Sequence, residues 1–194
     1  MRLQSLHVRC RGLTLPELIL ALASTAIIGA AIDSMLAAVS YGTSSEKDLR
    51  TLVVKHKVVD GRLSAAIRSS HMVLDQGANF VVLWTSDLDG NGVPNLLELR
   101  RIEHDTANEE LWSYQASSPP TDTQYQLTDN FGTITAGLKG QTWFPGTLWA
   151  TNITNWTVTL NHVDPQQATL ASYRITLSTG TMSDTTINAA ALRN

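Results

Sequence analysis

The chain has 194 residues, of which 43% are hydrophobic and 16% charged, and this balance excludes a globally disordered polymer. Its length suits one domain with an appended segment. The first twelve residues hold three arginines (Arg2, Arg9, Arg11) and no acid, so the remainder carries a net charge of −6, which excludes the broad basic footprint that nucleic-acid binding needs.

The one cysteine, Cys10, lies in that basic leader. No intrachain disulfide can form, and a chain without the leader has no thiol for catalysis or for cysteine-ligated zinc. Fifteen uncharged residues then run from Leu18 to Ile32, between Glu17 and Asp33. As a helix they span about 22 Å, slightly short of a bilayer core of about 30 Å. Leu36 to Val39 extends the run beyond Asp33, and the arginines favour the cytoplasmic side. A buried core helix leaves the basic leader without a purpose. A secretory signal cut after Ala23 leaves too short an apolar core beyond Pro16 and Glu17. A plain signal anchor gives Glu17 no role.

The residues Gly12-Leu13-Thr14-Leu15-Pro16-Glu17 resemble the cleavage motif of type IV prepilins and type II secretion pseudopilins: a basic leader ending in glycine, an apolar residue, Thr-Leu, a variable position and glutamate, then an apolar helix. Gly12 matches the last leader residue, Leu13 the first mature residue, and Glu17 the glutamate fifth after the cut. The family usually has phenylalanine where Leu13 stands. The resemblance covers roughly residues 1 to 40. It implies cleavage after Gly12 and N-methylation by a prepilin peptidase/methyltransferase, residence in the bacterial inner membrane with an extracytoplasmic globular domain, and assembly with other pilin or pseudopilin subunits. Pro16 suits the first helical turn, where its missing N–H costs nothing. Glu17 suits the positive end of the helix dipole. A carboxylate in lipid costs about 2.5 kcal/mol or more and calls for a partner; the resemblance implies the α-amino group of a neighbouring subunit.

From Ser40 to about Ser70 the spacing predicts an amphipathic helix. Leu49, Leu52, His56, Val59, Leu63 and Ala66 alternate three and four apart, with Val53 and Ile67 beside them. Gly42 and Gly61 mark candidate bends. His56 has no second histidine one turn away, which favours a core or edge position over a metal ligand.

Beyond residue 70 the pattern is strand-like. "FVVLW" (80–84), "LLELRRI" (96–102), "ELWSY" (110–114), "WTVTL" (156–160) and "YRITL" (173–177) are short and rich in β-branched or aromatic residues. Pro119-Pro120 and the region 137–146 read as loops. The expected fold is α+β: a leader at 1–12, a hydrophobic membrane and assembly helix at 13–39, an amphipathic helix at 40–70, and a β-rich globular domain at 71–194 with an antiparallel sheet. This is the pilin-type layout that the resemblance implies. The large β region without a C-terminal cysteine pair looks more like a minor pseudopilin than a major pilin.

"DLDGNGVPNLLE" (87–98) fits the calcium-loop spacing D-x-D-x-N-G-x5-E. Asp87, Asp89 and Asn91 offer side-chain oxygens, Val93 its carbonyl, Asn95 a ligand through water, and Glu98 two closing oxygens. The same residues also suit a hairpin loop between two strands, because Asp-Gly and Asn-Gly are favoured turn pairs. Both readings stay open. No nucleophile–base set, zinc-spaced histidine pair or phosphate-cradling glycine loop emerges, so the sequence reads as a non-enzyme that requires no cofactor. The alternative function is a membrane-anchored extracytoplasmic binding module, with a calcium-stabilised β domain, that never enters a filament.

Overall fold

Helix α1, Leu15–Ser69, opens a computed structural model that describes residues 15–180 and 182–193, with the side chains of 41–48 outside the description. Contacts divide the chain into two units, Met1–Lys47 and Asp48–Asn194. In the first unit, Leu15–Ser40 is a 26-residue stretch long and apolar enough to cross a membrane, and none of it is buried. Helical backbone is continuous at both Gly42 and Gly61, so the helix is not broken at either. A Cβ on Gly61 would meet nothing within 4 Å, which places this glycine on an open helix surface where it costs only propensity.

The second unit is built on the rest of α1. Leu52, His56, Val59, Leu63, Ala66 and Ile67 are buried, as their period requires, but Leu49 and Val53 are exposed. The buried stripe therefore starts at Leu52 and is narrower than the sequence spacing suggests. Two antiparallel sheets receive it. The first has the order β1 (Met72–Gln76), β2 (Phe80–Trp84), β3 (Leu99–Asp105), β4 (Glu110–Gln115), β5 (Gly146–Thr151), and the second the order β6 (Ile153–Leu160), β7 (Leu170–Thr179), β8 (Met182–Ala191). The chain is thus α+β, with a long N-terminal apolar helix and antiparallel sheets.

Period-2 alternation sorts the strand residues. Val73, Val81, Leu83, Ile102 and Leu111 of the first sheet meet α1 together with Ile153, Trp156, Tyr173, Ile175 and Leu177 of the second. Val82 and Trp84 point the other way and pack with Leu74, Leu99 and Phe131. That explains why "FVVLW" is apolar at every position: β2 is covered on both faces. The outer cover is α2, Phe131–Leu138, capped by Asn130, whose side chain accepts from Thr133 N–H at 2.8 Å. Gly132 allows a close approach there, since a Cβ would lie 2.7 Å from Phe80 Cζ and 2.9 Å from Asp75 Oδ2.

Sequence reading and structure differ at five elements. Leu96–Glu98 is a 3-10 turn, and the strand expected from residue 96 begins at Leu99. Strands β1, β5 and β8 and helix α2 have no counterpart in the expected elements. The two sheets meet at Asn152, the single residue between β5 and β6, which takes a left-handed conformation (φ 66°) that asparagine tolerates better than most residues. Ile153 N–H then donates to Glu109 O at 2.8 Å, and Ser178 N–H to Asn152 O at 2.9 Å, so the switch leaves these backbone groups paired.

Candidate functional site

The processing residues Gly12 and Leu13 lie outside the described residues. Glu17 is in the first turn of α1, with Pro16 beside it. The hydroxyls of the apolar segment return to the helix itself: Thr25 donates to Ala21 O at 3.0 Å, Ser34 to Ala31 O at 2.8 Å, and Ser24 to Leu20 O at 2.5 Å. A hydroxyl satisfied one turn back costs little in hydrocarbon. The segment therefore suits a membrane anchor or a signal sequence.

The loop between β2 and β3 carries the acidic set. These strands pair antiparallel, with Trp84 opposite Leu99, so the loop closes a hairpin. One oxygen from each of Asp87, Asp89 and Glu98 lies within 4.8 Å of the others. Asp87 accepts from the N–H groups of Asn91 (3.1 Å) and Gly92 (3.0 Å). Asp89 accepts from the side-chain amides of Asn91 and Asn95, both at 2.7 Å. Asn91 Oδ1 accepts from Val93 N–H at 2.7 Å. Gly90 and Gly92 hold positive φ (70° and 72°), a conformation that glycine takes without strain. Desolvation works against the charge on Asp89, but hydrogen bonds from Asn95 and Asn91 outweigh it and hold this carboxyl below the usual aspartate range.

Glu98 differs from the other two carboxylates. It is 1% exposed, and its oxygens accept from Trp84 Nε1–H at 2.9 Å, Asn95 N–H at 3.0 Å and Leu88 N–H. The expected closing ligand is thus already a buried acceptor that ties the loop to β2. The fold brings one oxygen each of Asp87, Asp89 and Glu98 near one another. It also gives Asn91 and Asn95 a role that the spacing did not suggest, as donors that hold Asp89.

Sequence reasoning missed a polar seam between α1 and the second sheet. His56 is 4% exposed, and its Nδ1 lies 2.7 Å from Asp184 Oδ2 on β8. One turn on, Asp60 accepts from Tyr173 Oη at 2.7 Å and from Asn188 Nδ2 at 3.0 Å. Burial, then the hydrogen bond to Asp60, pushes the Tyr173 hydroxyl up to about 12, so it stays a donor at neutral pH. His56 Nε2 is buried without a partner among the described residues. These contacts dock the helix on the sheet. Only the position of His56 on the apolar stripe signalled the seam in advance.

No family model matches the chain, and no curated protein or solved structure matches it either.

Proposed function

We propose that this chain is a structural subunit of a pilus-like or pseudopilus filament, held in the inner membrane before assembly by its N-terminal helix and processed by a prepilin peptidase. The observation that carries this reading is Glu17, a carboxylate in the first turn of a helix whose residues 15–40 are apolar and unburied, five residues past the glycine that ends a basic leader. A plain membrane anchor has no use for a carboxylate at the head of its apolar helix, whereas a helix that packs among the helices of neighbouring subunits can use it to set register. Residues 1–12 are expected to be removed in a host with an active peptidase, leaving an N-terminal leucine that is then methylated. Intact-mass measurement of membrane-extracted protein checks this. A mature start at Ser24, or an uncut chain in such a host, overturns it.

A second reading is favoured by the convergence of Asp87, Asp89 and Glu98: the β domain is stabilised by calcium, whether or not it enters a filament. Asp87 and Asp89 would supply the charge and Glu98 one side of the site, with no paired loop to cooperate with. The expected Kd is roughly 10⁻⁴–10⁻³ M, and saturating calcium should raise the melting temperature by a few degrees. The test melts the chain from Ser40 onward in millimolar calcium and in chelator, beside Asp89→Ala. Equal melting of the unmutated chain in both conditions returns the loop to a plain hairpin turn.

A further inference from the structure

Helix α2 packs on β1 and β2 of the first sheet and leaves part of the outer face of β3 to β5 open. On that open face Glu103, Trp112 and Leu148 stand opposite one another across three strands, and Tyr114 stands opposite Gly146. The Trp112 and Tyr114 rings have centroids 6.2 Å apart at an interplanar angle of 25°, and Tyr114 continues to Phe144 at 6.3 Å and 10°. The three rings thus form one near-parallel aromatic row, with Lys139 Nζ 5.7 Å from the centroid of Tyr114. Gly146 makes room for it: a Cβ there would lie 2.6 Å from Tyr114 and 3.2 Å from Trp112. Trp112 and Tyr114 are both partly exposed. They line a cleft of about 250 Å³, with Asn79, Glu103, Asp105 and Lys139 at its rim.

The charged groups of the rim are held by protein partners, Asp105 among them, which accepts from Asn108 Nδ2 at 2.8 Å. Lys139 Nζ donates to both oxygens of Glu103 at 2.9 Å, and Arg101 Nε donates to the same carboxylate at 2.7 Å. The Trp112 indole N–H donates to Glu110 at 3.0 Å, which fixes the ring orientation. An ionic ligand finds the Glu103 and Lys139 charges already paired with each other. A neutral polyol does not need them: its C–H groups can lie on the ring faces while its hydroxyls bond to the lone pairs and N–H groups of the rim. We propose that this cleft binds a neutral pyranoside, stacked on Trp112 and Tyr114, with Glu103, Lys139 and Asn79 receiving its hydroxyls. The fit is best for a ring with equatorial substituents, because its axial hydrogens make a flat apolar face. The inference is independent of the filament reading.

The experiment titrates the full chain, held in a polyacrylate amphipol that carries neither sugar nor choline, with methyl β-D-glucopyranoside and methyl β-D-galactopyranoside. Saturation-transfer NMR is read at the sugar ring protons. Transfer concentrated on the axial C–H protons of at least one sugar is expected, with a Kd on the order of 1 mM. Trp112→Ala should weaken binding by about tenfold or more, and Gly146→Val, which fills the space beside the rings, should weaken it similarly. Absence of transfer to both sugars in the unmutated chain overturns the proposal, whatever the variants do. So does undiminished binding by a folded Trp112→Ala, or a stronger response to choline chloride than to either sugar.

Discussion

Glu98→Ala is expected to lower the stability of the β domain by about 3 kcal/mol, since each buried donor left without an acceptor costs about 1–3 kcal/mol. Three donors depend on this carboxylate: Trp84 Nε1–H, Leu88 N–H and Asn95 N–H. The total is less than their sum, because water can enter a loop that is exposed at Asp89. Against a typical reserve of about 5–15 kcal/mol the loss is still large, and it corresponds to a fall of roughly 10 °C in melting temperature for a domain of this size. Glu98→Gln should fall between the two, since it keeps one acceptor oxygen but turns an amide N–H₂ toward the remaining donors. Melting both variants in chelator separates this role from any metal. An alanine variant that melts within about 2 °C of the parent in chelator would show that these hydrogen bonds do not anchor the loop.

Glu17→Val is expected to reduce incorporation into filaments by more than about tenfold while leaving leader removal and membrane insertion intact. The substitution makes the first turn of α1 more apolar, so insertion alone should not suffer. What it removes is the carboxylate that, under the filament proposal, meets the α-amino group of a neighbouring subunit. Glu17→Asp keeps the charge on a shorter arm and should be intermediate. Co-purification with partner subunits from the native host, compared between variants at equal membrane abundance, gives the measurement. Equal recovery of the valine variant would leave Glu17 without a pairing role.

How much of this could be read in advance depended on whether the determining contacts are local. The apolar run from Leu18, the glutamate at its head, and the helical stripe from Leu52 to Ile67 are patterns within one element, and the chain alone determined them. The same holds for β2 and β4, whose apolar and aromatic runs match their boundaries to within a residue. The acidic loop was legible as a turn-forming, oxygen-rich stretch because the hydrogen bonds around Asp87, Asp89 and Asn91 join residues two to six apart.

Only the tertiary structure decided the rest. Strand β8, "MSDTTINAAA", shows no apolar alternation, because two of its inward positions are Asp184 and Asn188, which face His56 and Asp60 of α1 instead of hydrocarbon. Those partners are 128 residues away in the chain, and no local pattern encodes them. Helix α2 is only eight residues long and contains two glycines, so its own propensity is weak; its N-terminal turn is held by Asp75, whose carboxylate accepts from Gly132 N–H at 2.7 Å. Glu98 could be recognised as an oxygen donor from its spacing, but not as a buried acceptor, since Trp84 must first be brought opposite Leu99 by the pairing of β2 with β3. Sequence periodicity reports which side of an element is apolar. Which neighbour covers that side, and which polar groups meet there, is set by contacts between distant segments, where hydrogen bonds form only after the chain has folded.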